Sequence, residues 1–379
     1  ALWPVLWLLW RWPERRSLAW KDWRRQVLQI AGILLLSTYV LNLGYGFEGS
    51  FRKLRDYQFA SRTLGGPKPL GQPALRRQNR FRGTWLGRLP VPLPNNYVQG
   101  IDQTKHEFEQ KKWSYLRGEW RFGGWWYYYL YALAIKVPLG TWILVLLALF
   151  VTVALPSYSA SWRDELLLLA PLVVVLTFVS SQTGYSHHLR YVLPIFPFAF
   201  IWVSKVARAV QLNHRTIALL AGGALLWSVT SSLWVYPHSL SYFNELVGGP
   251  KGGHAHLDYS NIDWGQDLLY LKRWLDKHPE ARPLAFAYSV RFIDPSIAGI
   301  ECSLPPVGPD YDGPRAREIP LEPGPLPGWY AMNVQRLIER GDAYTYFRHF
   351  EPVAMAGYSI YIYHITPEEA NRVRRQLPP

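Results

Sequence analysis

Two histidines, an arginine and two tyrosines fall within the run Tyr185-Ser186-His187-His188-Leu189-Arg190-Tyr191. A guanidinium offers a planar fork of donors that matches phosphate oxygens, and a neutral imidazole donates one proton or accepts one. The run follows an apolar stretch and leads into Pro194, so a phosphate anchored at a membrane surface would meet it. The competing account is that Arg190 reaches lipid headgroups while the histidines cap helix ends. Adjacent histidines do not face one another on a helix, which argues against a metal site built on this pair.

A second constellation runs from His254 to Asp267, His-Ala-His-Leu-Asp-Tyr-Ser-Asn-Ile-Asp-Trp-Gly-Gln-Asp. Asp258, Asn261, Asp263, Gln266 and Asp267 gather carboxylates and amides around Trp264. Such groups bind sugar hydroxyls, and an indole face packs on the C–H surface of a sugar ring. Equally, Asp263 can cap a helix with Gln266 as its capping-box partner, opening the amphipathic segment that follows. His254 and His256 near Asp258 are too few to define a metal site.

The third is a basic stretch. Residues 46–124 hold 15 basic and six acidic side chains, among them Arg76, Arg77, Arg80, Arg82, Arg88, Lys105, Lys111, Lys112, Arg117 and Arg121. Near an anionic membrane each basic residue contributes about 1 kcal/mol of attraction. The stretch suits anionic lipid headgroups or a phosphate-linked substrate. Nucleic acid is excluded as a partner, because the stretch is expected to face away from the cytoplasm.

These groups need elements to hold them, and the apolar residues supply those in blocks. Val27–Gly44, Pro138–Leu155, Leu166–Ser180 and Ile217–Val235 are nearly uncharged and approach the ~20 residues that cross a bilayer core. The near-neutral mean hydropathy of −0.07 is therefore an average over unlike parts. Residues 1–236 carry 27 basic and 10 acidic side chains, whereas residues 237–379 carry 14 and 17. The lone Cys302 forms no internal disulfide and fits no multi-cysteine zinc pattern. A single soluble globule is excluded.

Charge orients the spans. Arg11, Arg15, Arg16, Lys21, Arg24 and Arg25 place residues 1–26 on the cytoplasmic side. The chain then runs outward from Val27, returns through a crossing that starts in the aromatic run Trp125–Tyr131, and leaves again at Leu166. A short crossing over Tyr191–Val206, kinked by Pro194 and Pro197, precedes Lys205, Arg208 and Arg215. About five spans result, within residues 27–236. The aromatic run reads as an interfacial belt, with base or sugar stacking as the other use of such rings. Residues 237–379 read as a small extracytoplasmic α/β domain, with a helix over Gln266–Lys277 and strands at Leu284–Tyr288, Gly328–Met332 and Tyr358–His364. The proline-rich segment between Leu304 and Pro327 reads as a loop. Ala1–Trp10 is apolar but too short to span, and is expected to be the stump of an earlier helix in a longer protein. A processed start is the alternative.

Four motifs together resemble the C-terminal portion of bacterial integral-membrane glycosyltransferases of the GT-C class, the protein O-mannosyltransferase and aminoarabinose-transferase-like enzymes. They are Gly44-Tyr45-Gly46-Phe47-Glu48-Gly49-Ser50-Phe51, Gly118-Glu119-Trp120, His187-His188-Leu189-Arg190-Tyr191-Val192-Leu193-Pro194 and Asp263-Trp264-Gly265-Gln266-Asp267. The resemblance implies an enzyme of the bacterial inner membrane that moves a sugar from a polyprenyl-phosphate-linked donor to an unidentified acceptor outside the membrane. The catalytic acid or base of that class lies in the first outer loop, and no segment here matches it. Glu48 and Glu119 are the nearest substitute carboxylates. Donor phosphate would be held by His187, His188, Arg190 and Tyr191 with Arg121, and the sugar or acceptor by Asp258, Asn261, Asp263, Trp264, Gln266 and Asp267. No cofactor is assigned, and a divalent metal stays open for a longer enzyme. The alternative is a non-catalytic membrane scaffold or export-machinery subunit with an outer interaction domain. A secondary transporter is disfavoured, since the spans lack paired repeats and intramembrane ionisable residues.

Overall fold

The computed structural model describes residues 2–12, 19–67, 78–158, 160–289, 293–309, 311, 322–341 and 343–377. Arg15, Arg16, Arg76 and Arg77 lie outside the described residues, as does part of the proline-rich segment.

Helix α1 (Leu2–Arg11) precedes α2 (Trp20–Gly44). At 1.5 Å per residue the latter's apolar length can cross a bilayer core. Ile33, Leu35 and Leu36 stand exposed along it, a surface that water does not tolerate over such a length. Residues 46–124 then form more than a basic loop. Short helix α3 (Arg62–Gly65) and helix α4 (Asn95–Glu109) enclose a small core of Tyr57, Phe59 and Val98. Buried Asp102 locks it by accepting the N–H groups of Ala60 (2.6 Å) and Ser61 (3.1 Å). An antiparallel hairpin follows, β1 (Trp113–Leu116) and β2 (Glu119–Phe122).

Helices α5 (Tyr128–Lys136) and α6 (Leu139–Ala154) meet at a 110° bend over Val137 and Pro138. Proline has no N–H to continue the first helix and its ring disfavours the helical conformation of the residue before it, which explains the break. Helix α7 (Trp162–Ser180) starts at Ser161, whose hydroxyl accepts the Asp164 N–H. The next helical run, Leu189–Gln211, passes from a 3₁₀ start across Pro194 into α8 (Phe196–Val203) and ends in the short α9 (Arg208–Gln211). Helix α10 (Arg215–Val235) completes this half.

Among the described residues, three helical runs are long and apolar enough to cross a membrane: Trp20–Gly44, Leu189–Gln211 and Arg215–Val235. The bent pair α5/α6 makes four if it is one span. Of the five expected spans, α7 falls short. Arg163, Asp164 and Glu165 fill its first turn, and the remaining apolar run is shorter than the ~20 residues a bilayer core needs.

The rest of the chain is α/β. After the short α11 (Gly249–Gly252), amphipathic α12 (Leu268–Lys277) buries Leu268, Leu271 and Leu275 against a four-stranded sheet. The strands β3 (Leu284–Ala287), β4 (Gly328–Asn333), β5 (Ala354–Ala356) and β6 (Ile360–Ile365) lie in the order β3-β4-β6-β5. β3 and β4 are parallel; the other pairs are antiparallel. Three of the strands and the helix fall where the residue pattern puts them, and β5 is additional.

The aromatic run departs from a belt. Trp126 is 65% exposed, but Trp125, Tyr128 and Tyr129 are buried in a core shared with Val192, Phe243, Leu257, Ile262 and Val334. Half of the run is therefore a floor between the helices and the α/β part, because α5 is short and turned.

Candidate functional site

The segment from Tyr185 to His188 has no regular secondary structure, so its side chains are placed by its neighbours. The Ser186 N–H donates to Ser114 Oγ on β1 (2.9 Å), and Ser186 Oγ accepts the Trp125 N–H (3.1 Å). The Tyr128 hydroxyl donates to the His187 carbonyl (2.9 Å). Asn261 does most of the joining. Its Nδ2 lies 2.7 Å from the His187 carbonyl, 3.0 Å from the Asp258 carbonyl and 3.1 Å from the Tyr128 hydroxyl, and its Oδ1 accepts the Leu189 N–H at 3.2 Å. One buried amide thus ties two sequence regions together at the start of the apolar run Leu189–Gln211.

The motif Asp263-Trp264-Gly265-Gln266-Asp267 proves to be a knot rather than a capping box. Helix α12 begins at Leu268, with Asp267 at the N-cap position. Asp263 Oδ1 accepts the Gly265 N–H (2.8 Å), and Asp263 Oδ2 accepts from Tyr288 Oη and Asn333 Nδ2 (3.1 Å each). Gln266 closes the turn by accepting the Trp264 N–H (2.8 Å) and donating to the Ile262 carbonyl (3.0 Å). Gly265 adopts φ +110°, which an L side chain rarely takes. Asp267 accepts the N–H groups of Tyr358 and Ser359 (3.0 Å each) just before β6. Asp263 and Asp267 are buried and bolt the turn to the sheet instead of facing a sugar. What the knot presents outward is the Trp264 ring.

That ring completes a cavity of about 490 Å³. Its walls include His188, Arg190, Asn261 and Trp264 from the expected site, and Lys136, Ser260 and Tyr242 beside them. Leu189, Leu193, Phe196, Val137 and Pro138 make the lining largely apolar. The Arg190 guanidinium lies 6.0 Å from the Trp264 ring and 5.7 Å from that of Tyr191. Arg190 is exposed, and among the described residues no carboxylate pairs with it. Lys136 Nζ donates to the carbonyls of Asn261 (2.6 Å) and Leu240 (2.7 Å) and lies 4.3 Å from the Phe243 ring. His188 Nδ1 hydrogen-bonds Ser260 Oγ, and its ring meets Trp264 edge-on at 5.7 Å.

Burial sets the charge states. It pushes His188 down to about 3, helped by the nearby Arg190, so the ring is neutral at physiological pH. His187 is lowered well below the ordinary imidazole range, first by burial and then by His188, Arg190 and Lys112. It packs against Tyr185 (4.7 Å) and Tyr259 (4.8 Å) behind the cavity wall. Asp258 is buried and neither carboxylate oxygen has a hydrogen-bond partner among the described residues. Desolvation raises it well above the ordinary carboxylate range, which favours the protonated acid.

The other expected residues sit elsewhere. Arg121 packs 5.9 Å from the Trp125 ring on the hairpin, and Tyr191 packs on Phe108 (5.0 Å). Glu48 accepts from Asn96 Nδ2 (3.3 Å), while Glu119 is exposed at the hairpin. None of these four lines the cavity. His254 and His256 turn to different tyrosines, Tyr361 (3.4 Å) and Tyr131 (2.6 Å). Among the described residues no group of three or more His, Cys, Asp or Glu is placed to hold a metal ion. The residue that sequence reasoning missed is Lys136. Its signal was a lone charge inside an otherwise apolar stretch ended by Val137-Pro138, the kind of position usually kept for a purpose. In comparisons with known proteins, no family model, no curated protein and no solved structure matches this chain.

Proposed function

We propose that this chain is part of a membrane glycosyltransferase and holds a polyprenyl-phosphate-linked sugar, with transfer to an acceptor on the extracytoplasmic side. The observation that carries this reading is the cavity at Arg190, where a guanidinium, the Lys136 amine and a neutral imidazole meet apolar walls at the start of an apolar helical run. A ligand with a phosphate and a long hydrocarbon tail satisfies both chemistries. The phosphate sits on Arg190 beside Lys136, the prenyl chain runs along Leu189, Leu193 and Phe196, and the sugar lies on Trp264. Phosphate departure is assisted electrostatically by the Arg190 guanidinium as the anomeric C–O bond breaks. Neutral His188 serves as a hydrogen-bond donor only through the nitrogen not engaged by Ser260.

The acceptor's attack requires a base for its proton. Among the described residues no Asp or Glu lines the cavity, and this favours a second reading in which the chain binds the lipid phosphate without catalysing transfer. The resemblance to the GT-C class supports the first reading, with the base supplied by a preceding segment of a longer protein.

The test uses membranes containing the protein and a radiolabelled polyprenyl-phosphate hexose. Arg190→Ala lowers transfer about 100-fold, in the range for removing one charge-stabilising donor, and Arg190→Lys restores part of it. Unchanged transfer in Arg190→Ala overturns the donor-phosphate role. Arg190-dependent binding of the labelled lipid without any transfer selects the scaffold.

A further inference from the structure

A second cavity, of about 720 Å³, opens between the β1–β2 hairpin and the chain that follows β4. It shares no lining residue with the cavity at Arg190. Among the described residues three arginines line it: Arg117 at the hairpin turn, Arg340, and Arg348. Among the described residues no carboxylate pairs with any of the three. Glu339, the acid on the same wall, bonds Arg336 (2.6 Å).

Each guanidinium is held in place by other means. Arg348 directs Nε and Nη2 to the Leu337 carbonyl (3.0 and 2.5 Å), leaving Nη1 uncommitted. Arg340 lies 3.2 Å over the Trp113 ring, and Arg117 lies 5.7 Å from the Tyr131 ring. Aromatic faces stabilise a cation without neutralising it. The turn itself points the same way. Arg117 has φ +54° and Gly118 φ +82°, the left-handed pair of a two-residue hairpin turn that favours Asn, Asp or Gly at both positions. An arginine at the first of them is strained, and the turn keeps it beside the cavity; the Arg117 N–H meanwhile docks the hairpin on the His256 carbonyl (3.0 Å). Like charges gathered around one cavity repel one another, and an anion entering between them relieves that repulsion.

We propose that this cavity is an oxyanion site that takes a phosphate or pyrophosphate group. The volume is more than one phosphate fills, so the anion is one end of a larger molecule. The proposal does not rest on the lipid-donor reading, because the two cavities use different residues.

Pyrophosphate titrated into the detergent-solubilised chain, followed by titration calorimetry, shows saturable binding. The pair Arg117→Gly with Arg340→Gln weakens it at least about 10-fold, and does so equally in an Arg190→Ala background. Arg117→Gly suits the turn, so the single variant melts no lower than wild type while binding worse, which separates lost binding from lost folding. Vesicles of phosphatidylcholine with phosphatidic acid identify the source: competition with pyrophosphate marks a lipid headgroup, and no competition marks a soluble phosphorylated molecule. The absence of saturable binding overturns the proposal. So does binding that Arg190→Ala abolishes and the arginine pair leaves intact.

Discussion

Asn261 shows why a polar residue in an active-looking motif need not touch substrate. Its amide spans His187, Leu189, Asp258 and Tyr128, and Asn261→Ala leaves several buried groups unpaired at about 1–3 kcal/mol each. Thermal melting of the solubilised protein therefore shifts markedly downward in that variant, and lipid binding weakens with it. Asp258 makes the opposite case. Its folded-state pKa is raised by burial, so the folded state binds a proton that the unfolded state has released above about pH 4. Stability falls as pH rises through that interval. Asp258→Asn keeps the neutral shape and removes the fall, so its melting temperature at alkaline pH exceeds that of wild type. A wild-type pH profile that is equally steep in Asp258→Asn contradicts a buried neutral acid. His188 titrates in the reverse sense. With its folded value lowered to about 3, the unfolded chain takes up a proton below about pH 6.5 that the folded one refuses. Stability is lost as pH falls through this range, and His188→Gln flattens that limb.

At the scale of elements, the bend between α5 and α6 decides the site. It ends α5 at Lys136 and turns this residue onto the carbonyls of Leu240 and Asn261. The bend is held by α10, which packs directly on Gly140: a side chain there would meet the Ala224 carbonyl and the backbone and hydroxyl of Ser228. Gly140→Ala is expected to destabilise by about 1–3 kcal/mol through overpacking, read by melting, whereas Gly222→Ala, with open space around it, has little effect. The turn before α12 carries the complementary lesson. Asp263 and Gln266 have the spacing of a capping box, yet partners on β4 and after β3 capture Asp263 and delay the helix to Leu268. Capping rules are local, and a buried carboxylate is settled by whichever donors the tertiary fold brings to it.

For the whole molecule, the shared core of Tyr128, Val192, Phe243, Leu257 and Val334 joins the helical half to the α/β part. Both the 46–124 region and residues after 237 should then lie on one side of the membrane. Single cysteines at Gln99 and Glu280, in a Cys302→Ser background, react with a membrane-impermeant maleimide from the same side. Labelling from opposite sides contradicts a common site. Apolar blocks and β-prone runs read from sequence alone, Val27–Gly44 and Ile217–Val235 among them, fall on the apolar helices Trp20–Gly44 and Arg215–Val235, helix α12 and three of the sheet's strands. They do so because hydrophobic periodicity is a short-range property of the chain. Which polar groups face a ligand was legible only in part: His188, Arg190 and Trp264 share a wall, but Asp263 and Asp267 are bolts and Arg121 is elsewhere. That choice belonged to the tertiary structure. Lys136 and Asn261 are 125 residues apart and meet through one hydrogen bond, and neither spacing nor composition encodes a partner at that distance. A buried polar group takes its role from the partners that folding delivers, and only the folded chain shows which of them remain for a ligand.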